Sequence, residues 1–257
     1  MSAQVPPASV QFDRGAAGYA ATMAPSLRRI AAEVVRRADL RAGERVLDVG
    51  SGTGIAAAAA VGDRRAVIGV DGAASMLEHA RRDVPAASFQ VMDFMQLAFP
   101  AGSFDAVISS HALLFADERP AALAEWRRVT RPGGRLSLSV PGPVEVTPTA
   151  VYRQVYERHG IDTSGRYPTP DELAGWATAA GWTDVDVHAD PTTAIRLPDA
   201  SAFRTWREIG SRGQATDGWT PEQHDTLTAE MLAVTPRDAD GWLRIPFGAL
   251  YLVAGNP

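Results

Sequence analysis

One stretch limits what this chain can fold into more than any other: Arg45-Val46-Leu47-Asp48-Val49-Gly50-Ser51-Gly52-Thr53-Gly54. Val46, Leu47 and Val49 supply the apolar, largely β-branched bulk of a strand buried on both faces. Glycine then falls at alternate positions, 50, 52 and 54, where positive φ and close approach to bare backbone are both permitted. The alanine-rich run Ile55 to Val61 favours helix. A strand entering a glycine turn and then a helix points free backbone N–H groups, and the positive end of the helix, at a ligand.

Two nucleotide-type readings compete for that turn. A dinucleotide site needs G-x-G-x-x-G, with an acid near the end of the next strand. Here residue 55 is isoleucine, so the last glycine of that fingerprint is missing, and the spacing is G-x-G-x-G after Asp48. Composition removes other chemistries. The chain has no cysteine, which excludes disulfides, thiolate metal sites and a cysteine nucleophile. It also has no lysine, which excludes a P-loop lysine and a lysine Schiff base. Arginine throughout, with abundant alanine, fits a GC-rich bacterial coding bias. A net charge of -5 disfavours a broad grip on nucleic acid. No apolar run is long enough for a bilayer and no secretory signal opens the chain, so a cytoplasmic location is expected.

Residues 1–11, with Pro6-Pro7, predict a loose tail. Leu27, Ile30, Ala31, Val34, Val35 and Ala38 recur at helical spacing and predict an amphipathic helix over 26–39. Strands are predicted at 45–49, 66–70, 88–91, 104–109 and 135–140, with helices between them. That alternation implies a parallel sheet covered on both faces. Beyond Pro141 the pattern predicts helices at 150–159, 170–180, 201–209 and 222–232. It also predicts strands near 181–187 and 244–253, and a glycine-rich loop at 213–218.

Asp48-x-Gly50-x-Gly52-x-Gly54 resembles the first motif of the class I S-adenosylmethionine-dependent methyltransferases, specifically the small-molecule, ubiquinone-pathway and natural-product group. Phe104 to His111 resembles the fourth motif, and Leu123 to Gly134 resembles the stretch before the fifth strand. The likeness runs from roughly 40 to 140, with a less specific tail. It implies an α/β fold: a doubly wound, mostly parallel seven-stranded sheet with a helical cap inserted before the last strand, at about 196–240. It implies a lid segment over 1–25 and a methyltransferase domain over 26–257.

The resemblance also implies roles. Asp48, Gly50, Ser51, Gly52, Thr53 and Gly54 would hold the methionine end of S-adenosylmethionine. Asp71 would accept from both ribose hydroxyls, beside Gly72, and Met76 would pack near the adenine. Asp93 and Phe94 would meet the adenine, and Ser109 the methyl donor. Tyr19, in the lid, would lie near the sulfonium by cation–π attraction. His111 is the candidate general base, with an ordinary pKa suited to that work. Each has a bland alternative: Asp71 as a helix cap, Asp93 as a turn former, and Met76, Tyr19 and His111 as packing residues. His79, His159, His188 and His224 lack metal-ligand spacing, so no metal site is expected. Phe203, Trp206, Trp219, Met231 and Trp242 suit a cap over a partly apolar small-molecule acceptor. Methyl transfer to an oxygen, carbon or nitrogen nucleophile is the expected function. A non-catalytic S-adenosylmethionine-binding protein and a nicotinamide oxidoreductase stay open as rivals.

Overall fold

The first described element of the chain is a 30-residue helix, α1 (Ala8–Arg37), in a computed structural model that describes residues 8–162, 167–208, 216 and 218–257. The sequence had suggested a loose tail, a separate lid and a helix from Ser26. From Ala8 these are one continuous helix; the first seven residues lie outside the described set. Pro25 sits inside it and removes one N–H donor, ordinarily a reason for a helix to stop. Pro25 and Ala21, four residues earlier, both face solvent, so the unsatisfied carbonyl is open to water. Meanwhile Ala16, Met23, Ala24, Leu27, Ile30, Ala31 and Val34 are buried along the other side, and that packing carries the helix through.

The central part alternates as the pattern predicts: β1 (Arg45–Val49), α2 (Ile55–Ala60), β2 (Ala66–Asp71), α3 (Ala74–Asp83), β3 (Ser88–Val91), β4 (Phe104–Ser110), α4 (Arg119–Val129) and β5 (Thr130–Val140). The later elements are α5 (Pro148–Val151), α6 (Arg153–Arg158), α7 (Pro170–Ala179), β6 (Thr183–Asp190), β7 (Ala194–Leu197), α8 (Ala200–Glu208), α9 (Pro221–Val234), β8 (Leu243–Pro246) and β9 (Ala249–Gly255). The main sheet has seven strands in the order β3-β2-β1-β4-β5-β9-β6. Only β9 runs antiparallel to its neighbours. The sheet grows one way from β1 to β3 and the other way from β4 onward. Its switch point therefore lies between the carboxyl ends of β1 and β4, where open α/β sheets bind ligands.

Each face of the sheet has its own core. On one, α1, α2 and α3 pack with the inserted helices around residues such as Ile30, Val46, Leu77, Phe203 and Trp206. On the other, α4 and α7 cover Leu47, Val107, Trp126, Leu138 and Trp182. The α7 and α9 starts are written in the same way: Thr169 and Thr220 each cap the backbone of the residue three on, Glu172 or Gln223, whose side chain returns the bond, and a proline follows the cap.

Two features of the C-terminal part differ from the sequence reading. The single last strand expected over 244–253 is two. Pro246 lacks a donor, and Gly248 takes φ 55° with an added Cβ 2.3 Å from the Gly142 carbonyl oxygen, so the chain bends there. Leu243–Pro246 pairs instead with Ala194–Leu197, a strand the pattern had not marked, in a separate two-stranded sheet. Most of the glycine-rich loop expected at 213–218, and the end of the helix expected at 209, lie outside the described residues. Among the described residues, no helix is long and apolar enough to cross a membrane.

Asn256 locks the bulge at the start of β5, where the sequence reading had placed a turn before the strand. Asn256 Nδ2 donates to the carbonyls of Thr130 at 2.7 Å and Arg131 at 3.1 Å, and its Oδ1 accepts from Arg127. Its backbone exchanges bonds with Gly133 and Gly134. Asn256→Ala leaves buried carbonyls without a partner and is expected to lower stability by about 1–3 kcal/mol in urea unfolding, with the m-value unchanged.

Candidate active site

The turn after β1 folds as its glycines require. Gly50, Gly52 and Gly54 take φ of 65°, 53° and 80°, all left-handed. The faces where their side chains would stand are met by the chain itself: a Cβ on Gly50 would lie 2.1 Å from Ala112 Cβ, and one on Gly52 3.3 Å from Met76 Cε. Glycine is needed at Gly50 so that the loop after β4 can press against the loop after β1. Ser51 N–H donates to the Val70 carbonyl at 2.9 Å, which ties the turn to β2.

The acids at the strand ends have distinct settings. Asp48 is fully buried; its Oδ2 accepts from Ala57 N–H at 2.9 Å at the start of α2. Burial pushes its carboxyl up to about 7, against that hydrogen bond. Asp71 bridges two backbone donors, Gly52 N–H at 2.8 Å and Ala73 N–H at 2.9 Å, so it braces the glycine turn and begins α3 at once. Burial pushes it above the usual carboxylate range, those donors pull it down, and nearby Asp13 adds to the rise. Asp93 stays exposed beyond β3 and turns the chain through a bond from Met95 N–H at 2.8 Å. Phe94 packs edge-on to Trp126, whose Nε1 donates to the Phe94 carbonyl at 3.0 Å.

His111 closes the site from β4. It holds φ 65°, a left-handed conformation uncommon for any residue but glycine. Its backbone N–H donates to the Ser139 carbonyl at 2.9 Å, and its Nδ1 lies 2.9 Å from Ser139 Oγ. Phe247 packs against the ring, with centroids 5.3 Å apart. Burial pulls the imidazole down to about 4, so it is neutral at pH 7.

Polar atoms without partners gather here. Asp48 Oδ1, Ser51 Oγ, Thr53 Oγ1 and His111 Nε2 are all buried and lack a hydrogen-bond partner among the described residues. Since such atoms are costly to leave unsatisfied, their convergence on one turn and one strand end fits a bound polar ligand. Ser109 does not join them: its buried hydroxyl donates to the Val49 carbonyl at 2.9 Å and braces β1 against β4.

The N-terminal half of α1 lies over this corner. Asp13 Oδ1 accepts from Ser75 N–H at 2.9 Å, and Ser75 Oγ donates to the same carboxylate at 2.7 Å. Ala16 packs with Ala73 and Met76, and Phe12 and Tyr19 pack beside them. Phe12 meets Tyr19 at 6.0 Å and Phe115 at 5.0 Å between centroids. The sequence reading had not singled out Asp13, Ser139, Ala112 or Phe247. Asp13 and Ser139 are ordinary polar residues, with no spacing signal that links them to positions 75 and 111.

A methyltransferase domain family model matches residues 47–138. Over 270 aligned residues, and 95% of each chain, the sequence is 30% identical to nocamycin O-methyltransferase of Saccharothrix syringae. The chain belongs to the class I S-adenosylmethionine-dependent methyltransferases. Its activity is methyl transfer from S-adenosylmethionine to a small-molecule acceptor. The methyltransferase is also similar to the putative methyltransferase solved with the Haloferax volcanii Trm112 methyltransferase activator: TM-score 0.62, 25% identity, 97% of both chains covered. It shares its fold with a Haemonchus contortus phosphoethanolamine N-methyltransferase solved with S-adenosyl-L-methionine. That match has TM-score 0.59 and 18% identity, covering 89% of this chain and 52% of the other.

The raised Asp48 pKa gives a pH signature. An acid at about 7 when folded, against an ordinary 3.8, holds an extra proton in the folded state between those values. Its stabilising contribution is therefore present below pH 4 and lost as pH rises through 7. Asp48→Asn should remove this slope. The gap between variant and wild-type stability, read from urea unfolding at steps from pH 4 to 7.5, should grow in the variant's favour as pH rises.

Proposed function

We propose that this methyltransferase acts on an acidic hydroxyl, a phenol or enol, of a partly apolar small molecule, and that His111 removes the proton. The observation that carries the reading is His111 Nε2: buried, without a hydrogen-bond partner among the described residues, and at the β4 end of the switch-point crevice. With the Nδ1 proton donated to Ser139 Oγ, the Nε2 lone pair faces the acceptor. Ser139 is then a positioning residue that selects the tautomer. Burial makes this a weak base, because the imidazolium is disfavoured there. A weak base suits an acceptor whose hydroxyl gives up its proton readily.

The cofactor roles follow the family pattern. The turn from Gly50 to Gly54, with Asp48, Ser51 and Thr53, would hold the methionine end of S-adenosylmethionine. Asp71 and Gly72 would take the ribose, and Met76, Asp93 and Phe94 the adenine. The unpaired Asp48, Ser51 and Thr53 oxygens support the first of these. Bound there, the sulfonium supplies a methyl group already activated for in-line displacement. What remains for the protein is alignment and exclusion of water. The N-terminal half of α1, with Tyr19, serves as the lid, and the helices within 196–240 serve as the cap over the acceptor. The apolar, aromatic cap interior supports a partly apolar acceptor.

Two experiments test the reading. With a panel of phenols and enols, His111→Gln should lower the rate of S-adenosylhomocysteine formation by about 10²–10⁴-fold while S-adenosylmethionine affinity is kept. Wild-type turnover on the panel with no loss in the variant would remove His111 as the base. Asp71→Asn should weaken S-adenosylmethionine binding in calorimetry by about tenfold or more, the scale of hydrogen bonds to a charged group.

A further inference from the structure

The cap holds a buried cation that the methyl-transfer machinery does not use. Arg207, in the last turn of α8, is 1% exposed. Its Nε donates to Thr228 Oγ1 at 2.9 Å, and the Thr228 hydroxyl proton goes to the His224 carbonyl at 2.7 Å. Nη2 donates to His224 Nδ1 at 2.8 Å, so that ring nitrogen is the acceptor. The adjacent acid, Glu208, lies 3.4 Å from Nη2 with its side chain half exposed. Nη1 is buried and has no hydrogen-bond partner among the described residues. The guanidinium is thus held by Thr228 and His224 on α9 and paired through Nη2 with Glu208, which leaves Nη1 as its one unengaged amino group among the described residues. Burying these N–H groups without an acceptor is expensive.

The surroundings limit what that anion is. Other nearby cations are already matched: Arg204 with Asp225 at 2.5 Å, and Arg158 with Glu230 at 2.6 Å. With Nη2 already paired to Glu208, the single open amino group suits one carboxylate, not a dianionic phosphate. On the apolar side, Trp206 and Phe203 share the buried face of α8 with Arg207, and both belong to the cluster that contains Phe247. Phe247 in turn packs on His111.

We propose that Arg207 Nη1 binds a carboxylate carried by the acceptor, fixing the end of the molecule remote from the methylated atom. The identity of the occupant as the acceptor rests on the methyl-transfer reading; the carboxylate site itself does not.

The test is calorimetric titration of the whole protein with benzoate, with benzyl alcohol as its neutral analogue and with inorganic phosphate. Wild type should bind benzoate at least about tenfold more tightly than benzyl alcohol. Arg207→Met should lose that preference and Arg207→Lys should retain part of it, with S-adenosylmethionine affinity equal in all three. Equal binding of benzoate and benzyl alcohol by wild type would overturn the site. So would benzoate binding undiminished in Arg207→Met, which would leave Arg207 as a brace between α8 and α9. Phosphate binding tighter than benzoate would overturn the ligand class. Should Arg207→Met not fold, the wild-type preference and its reduction in Arg207→Lys decide. Failure of every form to bind S-adenosylmethionine would sink the methyl-transfer reading, while the benzoate comparison would still report on Arg207.

Discussion

The contact between Gly50 and Ala112 sets the distance between the two halves of the sheet's switch point. No side chain fits at residue 50, since its Cβ would overlap that of Ala112. With hydrogen there, the loop after β4 closes against the loop after β1, and the residue next to Ala112 is His111. Asp48, Ser51 and Thr53, with unpaired oxygens, lie on one side of that crossing, and His111, with an unpaired nitrogen, lies on the other. Asp71 secures the other side of the turn by holding Gly52 and Ala73 N–H together. The glycine turn and the placement of His111 both follow from one tight backbone crossing.

Coverage of that corner comes from distant parts of the chain. The first turns of α1 reach α3 through Asp13 and Ser75, and reach the loop after β4 through Phe12 and Phe115. From the other end, the bend at Gly248 delivers Phe247 onto His111, while the strand before it pairs outside the main sheet. A single long strand over 244–253 would have continued the ladder and carried Phe247 along it. The split strand puts Phe247, packed on His111, in one apolar cluster with the inserted helices.

The central fold was legible because its signals are local. Apolar strands and the alternating glycines each fix backbone over a few residues, and the seven-stranded sheet followed from the family they resemble; the proline–glycine stretch read as a turn is instead a bulge inside β5. What the sequence concealed depended on context. Pro25 reads as a helix boundary, yet its solvent-facing position lets α1 continue. The β7–β8 pair joins segments nearly fifty residues apart, a separation no local pattern reports. Within the site, the position of Asp71 at a strand end was readable, whereas the engagement of the Ser109 hydroxyl with Val49 was not. Ser139 and Arg207 look like ordinary strand and helix residues until the fold buries them.

The left-handed backbone at His111 has a consequence for how such a chain can evolve. An L-residue with a side chain holds that conformation at a cost of roughly 1–2 kcal/mol, which glycine would avoid. The backbone alone would favour glycine at this position, whereas the ring's packing on Phe247 and its bond to Ser139 favour histidine. Lineages that harden the fold while keeping the imidazole must find their compensation elsewhere, in helix caps or surface substitutions far from the crevice.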